Sequence, residues 1–355
     1  MAQKIYDKLT PKENYLRLCR GEDIEYIPTQ TFFGTSINGE QPTVSTGLCG
    51  PGMLYKEDFG SGAETFHDDW GVEYISVPSA NGGFIPTGTH TNDYLIKDIY
   101  HWRDYIEKPS LYDNIDWERK AHDDLAKIDR EQSAVVVGSP LMPFQQLMAM
   151  IGFVDGLVAL YEEPEIMEEI LDYMITYLEP HIQANIDYYK PDLFIVLDDT
   201  ATQRAPFISV DMFRELLVPA YKRITKAATD RGIPLMYHNC GNCQALLPDM
   251  IELGVRYWDP AQTVNDIDTI QKTLCPQYNF NVAGGFDWVE PEGELTEEYT
   301  RQLMRDYIDR WAPGGHFITA AGVIGAVGDQ RTAQINEWLT DESYIYRREW
   351  MKKQG

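Results

Sequence analysis

Residues 233–250 read IPLMYHNCGNCQALLPDM, and this one stretch holds a strand, a turn and the start of a helix. Ile233 to Tyr237 is a short apolar run bounded by Gly232 on one side and by Asn239 and Gly241 on the other, the pattern of a buried strand. Leu246, Leu247, Met250, Ile251 and Leu253 then recur at helical spacing, with Asn242 as the residue expected to cap them. His238 and Cys240 close the strand, and Cys243 falls in the first turn of the helix. Imidazole and thiolate together favour a borderline-soft cation, zinc being the usual one. A buried thiol beside a hydrogen-bonded histidine would use the same residues.

The rhythm repeats on both sides. Short apolar strands are expected at Ala134–Val137, at Leu193–Leu197 before Asp198 and Asp199, at Val255–Trp258 before Asp259 and Pro260, at Tyr278–Ala283 and at His316–Thr319. Helical patterns separate them, from Phe144, over 163–189, 211–230, 266–274, 296–311 and 331–339. Upstream, Pro11–Arg20 reads as a helix with Thr10 as its N-cap, followed by a strand over Ile27–Phe33. Residues 34–65 are irregular and rich in Gly, Ser, Thr and Pro, and Val72–Val77 suggests a further strand or hairpin. Strands alternating with helices pair in parallel through right-handed crossovers. Counting Ile27 and Val72 among them gives about eight, the number of a closed (β/α)8 TIM barrel. An open doubly wound sheet would want a glycine-rich nucleotide loop after a strand, and GGHFITAAGVIG straddles one instead. The expectation is one α/β domain over 1–355, with 1–65 as an N-terminal elaboration over the barrel mouth.

Composition narrows the partners. A net charge of -26 argues against nucleic acid and anionic membranes, which are bound through Lys and Arg. The five cysteines are scattered, the N-terminus lacks an apolar core, and no apolar run approaches the ~20 residues that cross a bilayer. A cytoplasmic protein with reduced thiols is expected. A homodimer stays open as its assembly.

In a barrel of this kind chemistry sits where strands end and helices have yet to start. The polar residues at those ends are Asp68, Asp69, Asp198, Asp199, His238, Cys240, Asp259 and Asp287. Asp198 and Asp199 are assigned catalytic work, though one of two adjacent acids often caps a helix. Asp259 before Pro260 also suits a turn. Phe32, Asp69, Trp258 and Asp287 are assigned to substrate, with Phe33, Trp70, Phe286 and Trp288 as further lining or as core. The metal set is His238, Cys240 and Cys243.

The run from Leu197 to Pro260, LDDTATQRAPFISVDMFRELLVPAYKRITKAATDRGIPLMYHNCGNCQALLPDMIELGVRYWDP, resembles the uroporphyrinogen decarboxylase superfamily. RLCRGEDIEYIP, HDDWGVEY and AGGFD add to the likeness, which is nearer to the cobalamin-dependent, corrinoid-protein methyltransferase branch than to the decarboxylases. The resemblance implies a (β/α)8 barrel. It implies zinc as cofactor, cobalamin carried by a partner corrinoid protein, and a small methoxy donor, methoxyaromatic where the aromatics line the site, so that the chain is an O-demethylase component. Transfer from methylcobalamin to a thiol or pterin uses the same fold, and a non-catalytic tetrapyrrole- or corrinoid-binding barrel is the reading from another class. The family's decarboxylases grip their carboxylate-rich substrate with an arginine-rich N-terminal segment, whereas no Arg occurs here from Ile24 to His101. That argues against uroporphyrinogen decarboxylation. The family's zinc methyltransferases hold metal with a His-x-Cys pair, matched by His238 and Cys240, and a later Cys, where this chain has Ala320, Ala321 and Gly322. Cys243, a strand-end carboxylate, or water and substrate are left as further ligands.

Overall fold

The computed structural model describes residues 8–30, 44–45, 65–76, 84–109, 113–126, 128–139, 141–286, 295–323 and 329–354. Among these, the strands are β1 Val44–Ser45, β2 Thr65–His67, β3 Glu73–Ser76, β4 Phe84–Pro86, β5 Ala134–Gly138, β6 Leu193–Leu197, β7 Leu235–His238, β8 Val255–Ala261, β9 Asn281–Gly284 and β10 Phe317–Ile318. One parallel sheet runs β1-β5-β6-β7-β8-β9-β10. Beyond β10 the sheet meets the N-terminal segment: Gln30 N donates to Thr319 O at 2.8 Å and Thr319 N to Pro28 O at 2.9 Å, around a parallel bridge between Thr29 and Thr319. Pro28–Gln30 is therefore the first stave of a (β/α)8 barrel, and β1 is the second.

Strand alternation sorts the side chains into two layers. Ala134, Val136, Leu193, Ile195, Met236, Tyr257, Ala283 and Ile318 form the inner cluster. Their neighbours Val135, Val137, Phe194, Val196, Leu235, Tyr237, Trp258 and Val282 pack outward against the helices. Both faces of β5 to β10 are covered, which is why these strands read as continuous apolar runs. The helix Pro11–Arg20 has Thr10 as its N-cap, accepting from Glu13 N, and Gly21 as its left-handed C-cap. It adds Tyr15, Leu18 and Cys19 to the inner cluster. Lys12 N donates to Gln132 O just before β5, and Asn279 Nδ2 to Cys19 O just before β9, so this helix closes the amino-terminal end of the barrel. Functional side chains are left to the other end.

Three expectations are corrected. The segment after Val72 is not a barrel stave: β2, β3 and β4 form a separate antiparallel sheet, with NGGFIPTGTH supplying β4. The second stave instead lies within the stretch expected to be irregular, where among the described residues Val44 and Ser45 pair with β5 inside a run rich in turn-forming residues. Asn242 does not cap the helix after β7; Cys243 holds the N-cap position, and Asn242 Nδ2 donates to Arg204 O. Most of the expected elaboration over the mouth, with Phe32 and Phe33, lies outside the described residues. Among the described residues no single helix is long and apolar enough to cross a membrane.

Asn14 ties the closing helix to the first stave. It is fully buried, donating Nδ2 to Tyr26 O and accepting Glu25 N at Oδ1, both at 2.8 Å. Asn14→Ala leaves both partners unsatisfied and should cost about 2–4 kcal/mol, read as a lowered urea unfolding midpoint.

Candidate metal centre

β6, β7 and β8 deliver the site, and alternation decides which of their residues enter it. Following the inner positions Leu197, Met236 and Tyr257 toward the mouth gives Asp199, then His238 and Cys240, then Asp259. Asp199, His238 and Cys240 are half-buried, and their ligand atoms all lie within 4.8 Å of one another. Cys240 Sγ is 3.7 Å from His238 Nε2. Sulfur and nitrogen donors on a tetrahedral zinc ion stand about 3.5 Å apart. The donor set therefore fits zinc: three protein ligands of mixed N, S and O type, with the fourth position free for water or substrate.

The surroundings orient each donor. His238 Nδ1 lies 3.4 Å from Asp259 Oδ1, leaving Nε2 for the ion, the usual carboxylate–histidine arrangement behind a metal. Cys240 N donates to Asp199 Oδ1 at 2.8 Å, and Asp199 N donates to Gln145 Oε1 at 3.1 Å. Gly241 N donates to Gln262 Oε1 at 2.6 Å. Gly241 has φ +86, and a Cβ there would stand 2.6 Å from Thr202 O, so only glycine lets the turn after Cys240 press against the loop after β6. Burial pulls the His238 imidazole pKa down, but attraction to Asp259 and contact with Cys240 outweigh it, and the net shift is well upward. Burial raises the Cys240 thiol, partly offset by His238. Metal binding here must release the protons these groups carry, giving neutral imidazole and thiolate.

The other expected site residues are placed elsewhere. Asp198 is fully buried and faces the helices, accepting Phe144 N at 2.7 Å, Gln145 N at 2.9 Å and the Tyr221 hydroxyl at 2.8 Å. Among the described residues it joins β6 to the helices and stands apart from the Asp199–His238–Cys240 group. Cys243 is buried behind the turn with its thiol donating to Asn239 O at 3.6 Å, outside the Asp199–His238–Cys240 group. Trp258 is fully buried, its Nε1 donating to Asn239 O at 3.1 Å. Asp69 shares the β2–β3 turn with Asp68, which accepts from Trp70 N, Val72 N and Gln146 Nε2. Trp70 packs edge-on to Tyr173 and Tyr177 in the core, and Phe286 against Tyr307. Phe32, Asp287 and Trp288 lie outside the described residues. Sequence reading missed Gln30, Gln145 and Gln262, which come from three distant segments and carry no motif.

Residues 100–321 match the family model described as uroporphyrinogen decarboxylase (URO-D). Among solved structures the chain is similar to a methyltransferase from Methanosarcina mazei, at 15% identity and a TM-score of 0.60, covering 97% of this chain and 100% of that one. This likeness shows the fold. A sugar phosphate isomerase/epimerase from Parabacteroides distasonis is similar at 13% identity and a TM-score of 0.30, over 62% of this chain and 93% of that one. A search of curated proteins found no match.

Burial pushes the Asp198 carboxyl up to about 7, against the pull of its two amide donors and Tyr221. An unfolded aspartate titrates near ~3.9. The folded protein thus holds an extra proton between these values. That contribution to stability is present at low pH and is lost as pH rises through about 7. Urea midpoints taken from about pH 4 to about pH 8 should reveal a decline on the order of 4 kcal/mol, and Asp198→Asn should flatten it.

Proposed function

The chain belongs to the uroporphyrinogen decarboxylase family, and from that premise we propose that it is a zinc-dependent methyltransferase that passes a methyl group from a small methoxy compound to a corrinoid protein. The observation that carries the reading is the convergence of Asp199, His238 and Cys240 at the barrel mouth with Asp259 behind the imidazole. A decarboxylase acting on a carboxylate-rich macrocycle needs cationic side chains. This chain has none of the expected arginines from Ile24 to His101, and its net charge of -26 repels such a substrate.

Zinc held by these three donors would act as a Lewis acid on the ether oxygen of the donor, easing departure of the alkoxide or phenolate. The chain's own residues supply the rest. Asp259 keeps the His238 ring in one tautomer and orientation. Asp199 accepts the Cys240 amide while retaining lone pairs toward the cation. The barrel wall excludes water on the inner side, where Leu197 and Met236 lie beneath the site. A cytoplasmic setting suits a centre that needs Cys240 reduced.

The mouth also carries a surface suited to a protein partner. Phe153 packs on Phe144 and Phe207, beside the end of β6, and Val154, Val158 and Tyr161 on the same helix are exposed. Residues 131–189 contain ten Asp or Glu and no Lys or Arg. A second copy would bring like charge against like, whereas a corrinoid protein with basic residues around its cofactor would be attracted.

Protein purified from zinc-replete medium should contain about one zinc per chain. Given cob(I)alamin or a reduced corrinoid protein and a panel of methoxyarenes, it should convert the cobalt absorbance to that of methylcobalamin. Cys240→Ala should lose metal and transfer together, zinc binding falling by more than about 100-fold, with circular dichroism unchanged. Stoichiometric zinc missing from the native protein, or full activity in Cys240→Ala after chelation, would sink the proposal.

A further inference from the structure

We infer that Gln30 is a positioning residue for the His238 ligand, acting through Asp259; the inference rests on the zinc reading above. Gln30 closes the first barrel stave, and its own backbone N–H is tied to Thr319 O on the last. Its Nε2 donates to Asp259 Oδ2 at 2.9 Å, while Asp259 Oδ1 stands 3.4 Å from His238 Nδ1. A carboxylate only accepts, so the amide end facing Asp259 must be the NH2 group, and the orientation of Gln30 follows from chemistry.

The other end of the amide is the second observation. Gln30 Oε1 is buried and has no hydrogen-bond partner among the described residues. An orphaned buried acceptor is unfavourable, and Met or Leu would fill the same space without one. The amide is therefore retained for the bond at its Nε2 end. With Oδ2 engaged by Gln30, the Asp259 carboxyl is held with Oδ1 at ion-pair distance, 3.4 Å, from His238 Nδ1 and with no hydrogen bond of its own, and His238 Nε2 is left facing Cys240 Sγ. A neutral donor is the right choice here. Lys or Arg at position 30 would cancel the charge by which Asp259 holds the ring, whereas an amide fixes the carboxylate and leaves its charge for His238. Gln145 and Gln262 act differently: each accepts a backbone N–H and sets a loop.

The test uses the full chain and zinc itself as probe, with the dissociation constant taken by competition against a chromophoric chelator. Gln30→Met, which keeps the length and removes the donor, should bind zinc about 10- to 100-fold more weakly and alter the visible spectrum of the cobalt-substituted protein. In an Asp259→Asn background the same change should cost nothing further, because the path runs through Asp259. Gln30→Glu has the same shape but sets acceptor against acceptor; it should weaken binding at least as much, and it decides the matter if the Met variant does not fold. Unchanged zinc affinity in these variants, or an equal loss in the Asp259→Asn background, overturns the inference while the metal reading stands. A native protein that takes up no zinc removes the metal reading and this inference with it.

Discussion

The buried carboxylate of Asp198 is the constraint from which the site's geometry follows. The helix Pro143–Ile151 has Met142 at its N-cap position, and Met142 makes no capping hydrogen bond from its side chain. The exposed amides of its first turn are satisfied instead from the end of β6, where Asp198 accepts Phe144 N and Gln145 N and binds Tyr221 on the next helix. One acid thereby joins the strand that ends at the site to the helices on either side. Because Gln145 is held at its backbone by Asp198, its side chain can reach the backbone N–H of Asp199. The buried acid sets the position of the one at the barrel mouth.

A second buried layer does the same for the turn after β7. Asn239 accepts Thr200 N at 3.0 Å and donates Nδ2 to the Thr200 and Tyr237 hydroxyls, while its carbonyl takes Trp258 Nε1 and the Cys243 thiol. These residues face away from the mouth, yet they fix the backbone that aims His238 and Cys240 into it. Their polar groups are paired with one another, which lets a polar network sit in a dry interior and hold a single arrangement. The cysteines divide accordingly. Cys240 is half-buried beside a histidine and an aspartate, and Cys243 is sealed behind the turn.

The electrostatics of the mouth suit a cation. Asp199 and Asp259 lie on either side of the His238–Cys240 pair, and the chain as a whole is strongly acidic. Two carboxylates and a thiol sharing a half-buried space repel one another once ionised, and a divalent ion relieves that repulsion. The same field disfavours anions at the mouth.

The sequence by itself determined the barrel and the direction of its chemistry. Apolar runs with both faces covered, the capped helix Pro11–Arg20 and the His-x-Cys spacing each depend only on near neighbours, and each is where the spacing puts it. Local pattern failed where turn-forming residues surround a strand, as at Val44–Ser45, and where a genuine strand segment such as Glu73–Ser76 joined a different sheet. At the site, the two-residue period put His238 and Cys240 on one face, but which of Asp198 and Asp199 pointed inward depended on where β6 ends and the register it shares with β7. Trp258 and Cys243 share residue types with pocket and ligand positions, and burial alone sets them apart. Only the tertiary structure could bring Gln30, Gln145 and Gln262 around one cluster, because barrel closure joins the first stave to the last and no sequence spacing encodes that contact.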